Sequence, residues 1–252
     1  LCEWGKTQSA IEIAQQCLPS VVNSTNHIGL NVDLAIYYWL LQNDQACLQH
    51  LQAVPLDKAK QFAHPNTKIY FNYLSKLIAF KLNNRSLYQR EDSELIAIGE
   101  SHSLASTGTV VEINSVRYQV RSHLVFGCKI WDLANAVSNR HKQAFRLGLA
   151  RAQNRPVVIN VGEIDCRLES GIYPHSKKYG KSIEKIIDDL TSNYNRFLGG
   201  IFESREADVF IHGVPKVAEE SDWPQEYKDC YLDIIQTLNL KLQEISKKLG
   251  FG

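Results

Sequence analysis

The 252-residue sequence lacks several features that would assign a chain to a particular class of protein. It has no run of about 18 apolar residues, so we expect no transmembrane helix and no membrane partner. Residues 1–6 include Glu3 and Trp4 and no apolar core, so we expect no signal peptide there. The formal net charge is only +1, which gives no electrostatic reason to expect nucleic acid as a partner.

Common metal and nucleotide signatures are missing as well. The six cysteines are scattered without a Cys-x-x-Cys pair, so we expect no metal site and no disulfide framework. Free thiols favour a cytoplasmic protein. Neither a P-loop nor a Rossmann glycine pattern occurs, which disfavours nucleotide binding. Methionine is absent and Leu1 is not an initiator residue, as expected of a trimmed chain or of a sequence that has lost its methionines.

The first third of the chain has the periodicity of amphipathic helices. Apolar residues recur at three- and four-residue steps in four segments: Ser9–Leu18, Leu30–Leu41, Ala46–Val54 and Lys68–Leu82. Short helices separated by polar turns resemble tetratricopeptide-type helical hairpins, and an ordinary helical cap explains them equally well. The polar stretch at 83–93 predicts a domain boundary, with an all-α segment over residues 1–90 and a second domain over residues 91–252.

Beyond that boundary, compact apolar runs alternate with longer helical patterns. Three runs are typical of buried parallel strands, namely Leu95–Ile98, Val157–Val161 and Asp208–His212. Helices are predicted at about 142–153, 180–202 and 225–249. Two further runs predict a hairpin or an edge excursion, Val110–Ile113 and Arg117–Val120. The alternation predicts an α/β fold with a doubly wound parallel sheet, in which ligands bind at the carboxyl ends of the strands.

Ionisable residues follow two of these strands, and here the chain resembles a known superfamily. Gly99-Glu100-Ser101 resembles the Gly-Asp-Ser block that opens SGNH/GDSL hydrolases, with Glu in the place of Asp. Gly127 stands where the second block supplies its glycine, and Gly162 to Asp165 stand where the Gly-x-Asn-Asp block falls. The resemblance covers the chain from about Leu95 onward and implies a three-layer, flavodoxin-like parallel sheet.

The resemblance also implies roles for individual residues. Ser101 is the expected nucleophile, and the backbone N–H groups of Ser101 and Gly127 are the expected oxyanion hole. The family's third donor is an Asn, but Ile164 occupies that position, so either Arg167 or a shifted backbone supplies the donor or the hole has only two. The family's base belongs to an Asp-x-x-His block, which we expect beyond residue 252.

Four further residues are expected to bind substrate or to support the site: His102, Glu163, Asp165 and Arg167. Each of the predicted roles has a structural alternative. Ser101 could be only a turn or helix-capping residue, and the acidic and basic residues after the second strand could form a structural ion-pair network. His212 ends the third strand, and His175 is expected on a loop over residues 172–178.

The stretch Gly-Glu-Ile-Asp-Cys-Arg at 162–167 is similar to a subgroup that joins helical repeats to an SGNH-like domain. That subgroup is associated with bacterial surface or capsular polysaccharides. The similarity implies an O-acetyltransferase or esterase with a carbohydrate substrate, no bound cofactor and acetyl-CoA as a possible donor. The alternatives are an inactive interaction module, with a protein partner docked on the N-terminal helices, and carbohydrate binding without turnover.

Overall fold

The structure is a computed structural model that describes residues 7–21, 25–55, 64–203, 205–216 and 223–252. Its helices are α1 (Thr7–Cys17), α2 (Thr25–Leu40), α3 (Asp44–Gln52), α4 (Pro65–Asn83), α5 (Ser103–Ser106), α6 (Ile130–Ala134), α7 (Arg140–Ala152), α8 (Glu163–Cys166), α9 (Ile172–Tyr179), α10 (Ile183–Phe202) and α11 (Gln225–Leu249). Its strands are β1 (Glu94–Gly99), β2 (Val110–Ile113), β3 (Val116–Leu124), β4 (Val157–Asn160) and β5 (Val209–Ile211).

The strands form one mixed sheet in the order β2-β3-β1-β4-β5. Strand β4 pairs in parallel with β1 on one side and with β5 on the other, whereas β2 and β3 pair antiparallel. The predictions of an α/β fold and of a hairpin after the first strand are therefore confirmed, and this hairpin makes the sheet mixed rather than parallel throughout. The reason lies at Asn114 and Ser115, whose positive φ angles form the two-residue turn that returns β3 along β2.

The chain divides into two compact units that are not continuous in sequence. The first contains the residues up to Leu95 together with Leu104–His123, and the second contains Ile96–Ser103 together with Leu124–Gly252. The hairpin of β2 and β3 thus groups with the helical residues. The predicted boundary after residue 90 and the resemblance to tetratricopeptide hairpins stay predictions.

The helices of the first unit are organised around α2. Its residues from Val32 to Trp39 include five buried apolar side chains, because the helix has neighbours on several sides. The indole N–H of Trp39 donates to the carbonyl of Leu104 over 2.9 Å, which satisfies the polar atom of a buried ring. Lys81 and Asp44 pair at 2.7 Å and join α4 to α3.

The second unit places its core around the parallel strands. Ile98 of β1 lies in register with Ile159 of β4, and both side chains are fully buried. Helices α7, α10 and α11 contribute Phe145, Tyr194 and Leu238 to the same apolar cluster. Because this core fixes the strands, it also fixes where the turns at their carboxyl ends begin.

The segment after residue 171 is a helix rather than the expected loop. Helix α9 carries His175, whose ring lies 4.5 Å from the rings of both Trp131 and Tyr179. The proline at position 174 suggested a loop, but it occupies the first turn of α9, where no helical hydrogen bond needs its missing N–H. Gly180 ends the helix with a φ of 63°.

The five cysteines in the described part of the chain are all free, and Cys2 lies outside it. Cys166 is fully buried, and burial beside acidic groups raises the pKa of its thiol well above the usual value. This environment makes Cys166 an unreactive packing residue. None of the helices in the described residues is long and apolar enough to span a membrane.

Gly99 is required by the close approach of β1 to β4. A Cβ atom on Gly99 would lie 1.8 Å from the carbonyl oxygen of Asn160, which is backbone and cannot move aside. We therefore expect Gly99→Ala to lower the free energy of unfolding by about 3 kcal/mol or more. Gly200 in α10 is the matched control, since a Cβ there meets nothing within 4 Å.

Urea unfolding followed by circular dichroism measures both variants. Gly200→Ala should leave stability unchanged or raise it by up to about 1 kcal/mol, because alanine is the better helix former. Equal stabilities for Gly99→Ala and the wild type would contradict the strand spacing described above.

Candidate functional site

The first element of the site is the turn that joins β1 to α5. The amide of Glu100 donates to the carbonyl of Asn160 over 3.0 Å, which prolongs the strand pairing by one residue. The carbonyl of Glu100 then accepts from both the amide and the hydroxyl of Ser103, at 3.0 and 2.7 Å. These bonds define a tight turn in which Ser101 is half-buried and Ser103 is fully buried.

The second element is the turn after β4, where Gly162 leads into α8. Gly162 has a φ of 127°, and a Cβ on it would lie 2.8 Å from Val214, so glycine is required there. The next residue, Glu163, donates its amide to Oε1 of Glu100 over 2.9 Å. This hydrogen bond therefore joins a buried side chain of the first turn to the backbone of the second turn.

Arg167 fixes the side chain of Glu163. The guanidinium donates from Nε to both carboxylate oxygens at 3.0 Å and from Nη2 to Oε2 at 2.7 Å. Glu163 is almost fully buried, whereas the Arg167 side chain is about one-third exposed. The pair spans four residues, and the hydrogen bonds to Glu163 raise the pKa of Arg167.

His102 faces the same carboxylate from the first turn. Its Nδ1 lies 3.9 Å from Oε2 of Glu163, and a ring nitrogen of His102 and one oxygen each of Glu100 and Glu163 lie within 4.8 Å of one another. Burial lowers the pKa of His102, Glu163 raises it, and the positive charges of Arg167 and His212 lower it further.

Glu100 is the most buried ionisable group of the cluster, at 1% exposure. Burial, followed by the like charge of Glu163, raises its pKa to about 8 from an ordinary value of 4.5. Glu100 is therefore largely protonated at neutral pH. Strongly perturbed acids of this kind are concentrated at functional sites.

Asp165 has a structural role, which the sequence left open. Its two carboxylate oxygens accept from the amides of Ile130 and Trp131, at 2.7 and 3.2 Å, and the side chain is fully buried. Asp165 thus caps the first turn of α6 and holds the loop that carries Gly127. Burial raises the pKa of Asp165 to about 7, although the two amide bonds oppose that shift.

The loop with Gly127 is attached to the end of β1. The amide of Val125 donates to the carbonyl of Gly99 over 2.7 Å. Gly99 lies two residues before Ser101, and Val125 lies two residues before Gly127. Gly127 is exposed and has a φ of 64°, and a Cβ on it would meet nothing within 4 Å. The loop therefore lies beside the turn that carries Ser101, and its backbone at Gly127 is exposed.

The structure thus brings Glu163, Arg167 and His102 together, and it assigns Asp165 to helix capping. Glu100 is the residue that sequence reasoning missed, because it was interpreted only as a substitute for a motif aspartate. Its position directly after a buried strand was the available signal, since a side chain there points either into the core or into the crevice.

Comparison of the chain with protein families, with curated proteins and with solved structures found no significant match.

Replacement of Asp165 tests its capping role. Asp165→Asn has one acceptor oxygen for two amides, so one buried N–H loses its partner, and we expect the free energy of unfolding to fall by about 1–3 kcal/mol. Urea unfolding at pH 8 measures this loss. Asp189→Asn is the control, since that exposed carboxylate pairs with Lys185 at the surface and its replacement should leave the unfolding midpoint unchanged. Identical midpoints for the two variants would contradict the cap.

The raised pKa of Glu100 predicts a pH-dependent stability. The native state retains this proton between about pH 4.5 and 8 while the unfolded state loses it, so stability falls as pH rises through that window. Glu100→Gln keeps the Oε1 acceptor and cannot ionise. We expect it to raise the melting temperature by about 4–8 °C more at pH 9 than at pH 5, which corresponds to about 2 kcal/mol.

Thermal unfolding of both proteins in buffer with a chelator measures this difference. Glu169→Gln is the control, because Glu169 is an exposed carboxylate on the same turn as Arg167. Curves for Glu100→Gln that stay parallel to the wild type at all pH values would show that Glu100 ionises normally.

Proposed function

We propose that this chain is a serine-dependent O-acyl transferase or esterase of the SGNH type, with Ser101 as the nucleophile and an O-acylated carbohydrate as the substrate. One observation carries the proposal. Ser101 is half-buried in the turn at the carboxyl end of β1, beside the ionisable cluster of Glu100, His102, Glu163 and Arg167. Ligands of open α/β sheets bind at such strand ends.

The proposed reaction proceeds through an acyl-enzyme. Oγ of Ser101 attacks the acyl carbonyl, its proton passes to a base, and the sugar oxygen leaves with a proton. Water or a second sugar hydroxyl then attacks the acyl group, and its proton returns the serine to its starting form. Water as acceptor gives an esterase, and a sugar hydroxyl gives a transferase. With acetyl-CoA as a possible donor, the acyl group comes from its thioester, and the CoA thiol leaves with the proton in place of the sugar hydroxyl.

The oxyanion of the tetrahedral intermediate needs N–H donors. The backbone amides of Ser101 and Gly127 are proposed for this role, since the hydrogen bond from Val125 to Gly99 keeps their segments adjacent. Arg167 is proposed as the third donor in place of the family's Asn. Its Nε and Nη2 are engaged by Glu163, which leaves Nη1 for an oxyanion.

The serine also needs a base, and we propose a histidine for this role. The resemblance implies the His of an Asp-x-x-His block. Among the described residues, His102 is the imidazole that lies in this cluster, and His212 follows β5. His102 adjoins the serine in sequence and faces Glu163, whereas His212 comes from a different strand end.

One observation favours the alternative of an inactive, SGNH-like binding or interaction module. Ile164 follows Glu163 at the position where the family places its oxyanion Asn, and an isoleucine side chain has no donor. Losing one donor of an oxyanion hole costs about 10²–10³ in rate, so a site with two donors would turn over slowly. Reaction with a serine-directed probe distinguishes the two functions.

Ser101→Ala tests the proposed nucleophile. We expect a fluorophosphonate probe to label the wild type at Ser101, as mapped by peptide mass spectrometry, and not to label Ser101→Ala. Hydrolysis of nitrophenyl acetate should fall by about 10³-fold or more, as when other nucleophilic serines are removed.

Ser103→Ala is the matched control, because that hydroxyl is buried and donates to the carbonyl of Glu100. It should retain the label. Equal labelling of Ser101→Ala and the wild type, or no labelling of either, would contradict a serine nucleophile and favour the binding module.

A further inference from the structure

The cluster at the ends of β1 and β4 contains three groups of the kind that bind metal ions. One oxygen of Glu100, one oxygen of Glu163 and a ring nitrogen of His102 lie within 4.8 Å of one another. Two of these side chains are buried and the third is half-buried, so the group is not a solvated surface cluster. The three residues come from two separate turns, which the bond from the Glu163 amide to Glu100 holds together.

A second, independent observation comes from the carboxylate of Glu100. Its Oε1 accepts from the Glu163 amide, whereas its Oε2 is buried without a hydrogen-bond partner among the described residues. Buried polar atoms in folded proteins are nearly always satisfied. Glu100 is 1% exposed, and its carboxyl shares a cluster with a second carboxylate and an imidazole, so a cation that displaces the carboxyl proton would supply the partner that Oε2 lacks.

The spacing suits a small divalent ion. Zn²⁺ takes nitrogen and oxygen ligands at about 2.0–2.2 Å, which places neighbouring ligand atoms about 3–4 Å apart. The His102 and Glu163 ligand atoms are 3.9 Å apart. Small side-chain adjustments would bring all three groups into the first coordination shell.

Arg167 is compatible with this role of Glu163. Arg167 donates twice to Oε2 of Glu163 and once to Oε1, and since a carboxylate oxygen has two lone pairs, Oε1 keeps one for an ion. Carboxylates that ligate metals are commonly oriented by such hydrogen bonds. A divalent cation would displace the proton that Glu100 holds at neutral pH and would offset the like charges of Glu100 and Glu163 that raise the pKa of Glu100.

We propose that Glu100, His102 and Glu163 form a binding site for one divalent first-row cation of the Zn²⁺ type, next to Ser101. The mixed set of one imidazole and two carboxylates favours Zn²⁺ and its transition-metal neighbours over Mg²⁺ and Ca²⁺, which prefer all-oxygen sites. The site belongs to the second unit alone. It does not depend on Ser101 being a nucleophile.

The test uses the whole chain, stripped with a chelator and then titrated with Zn²⁺ and with Co²⁺. We expect one Zn²⁺ per chain by elemental analysis after dialysis, and visible absorption bands on addition of Co²⁺. Glu100→Gln and His102→Gln should each weaken Zn²⁺ binding at least tenfold in calorimetry. Glu169→Gln, an exposed carboxylate close to Arg167, should stay within about twofold of the wild type.

Circular dichroism of the metal-free variants shows whether each one folds, and the half-exposed position of His102 makes His102→Gln the milder substitution. Failure of the folded wild type to bind Zn²⁺ at 1:1 stoichiometry would overturn the site. Binding that survives both site substitutions, or falls equally in Glu169→Gln, would overturn it too. Fluorophosphonate labelling of the metal-free protein is scored separately, so the cation site and the serine nucleophile can fail independently.

Discussion

The hydrogen bond from the amide of Glu163 to the buried carboxyl of Glu100 is the constraint on which the site depends. It forms only if β1 and β4 end side by side, which in turn needs a glycine at position 99 against Asn160. Gly162 then gives the second strand the backbone angle that points Glu163 toward the first turn. Two glycines and one hydrogen bond thus bring together the turn that carries Ser101 and His102 and the turn that carries Glu163.

This arrangement of buried ionisable groups lowers the stability of the native state, and it therefore indicates a functional role. Glu100 and Glu163 are both almost fully buried, and one positive charge, Arg167, is shared between them. A carboxyl that holds its proton to about pH 8 destabilises the native state at alkaline pH, whereas an apolar residue there would not. Groups that oppose stability in this way are characteristic of catalytic and ligand-binding sites, where chemistry needs them.

Local patterns in the sequence predicted the helices and strands well, because buried apolar residues recur with one period in helices and with another in strands. The strand that ends at Gly99 and the long helix α11 were both predicted close to their observed bounds. The hairpin of β2 and β3 was also predicted, and the positive φ angles of Asn114 and Ser115 form its turn. The helix around His175 was not predicted, and the ring of His175 contacts Trp131, which lies far away in sequence.

The site was only partly predictable for the same reason. Residues that follow strands could be named from the sequence, but their partners could not. Asp165 accepts a hydrogen bond from an amide 35 residues away, and Glu100 accepts one from the amide of Glu163, 63 residues away. The most direct test of the account is a ¹³C NMR titration of the glutamate side-chain carboxyls in metal-free protein, with Glu100→Gln to assign the signal. The account predicts one carboxyl that titrates near pH 8, and titration of every glutamate below pH 6 would contradict it.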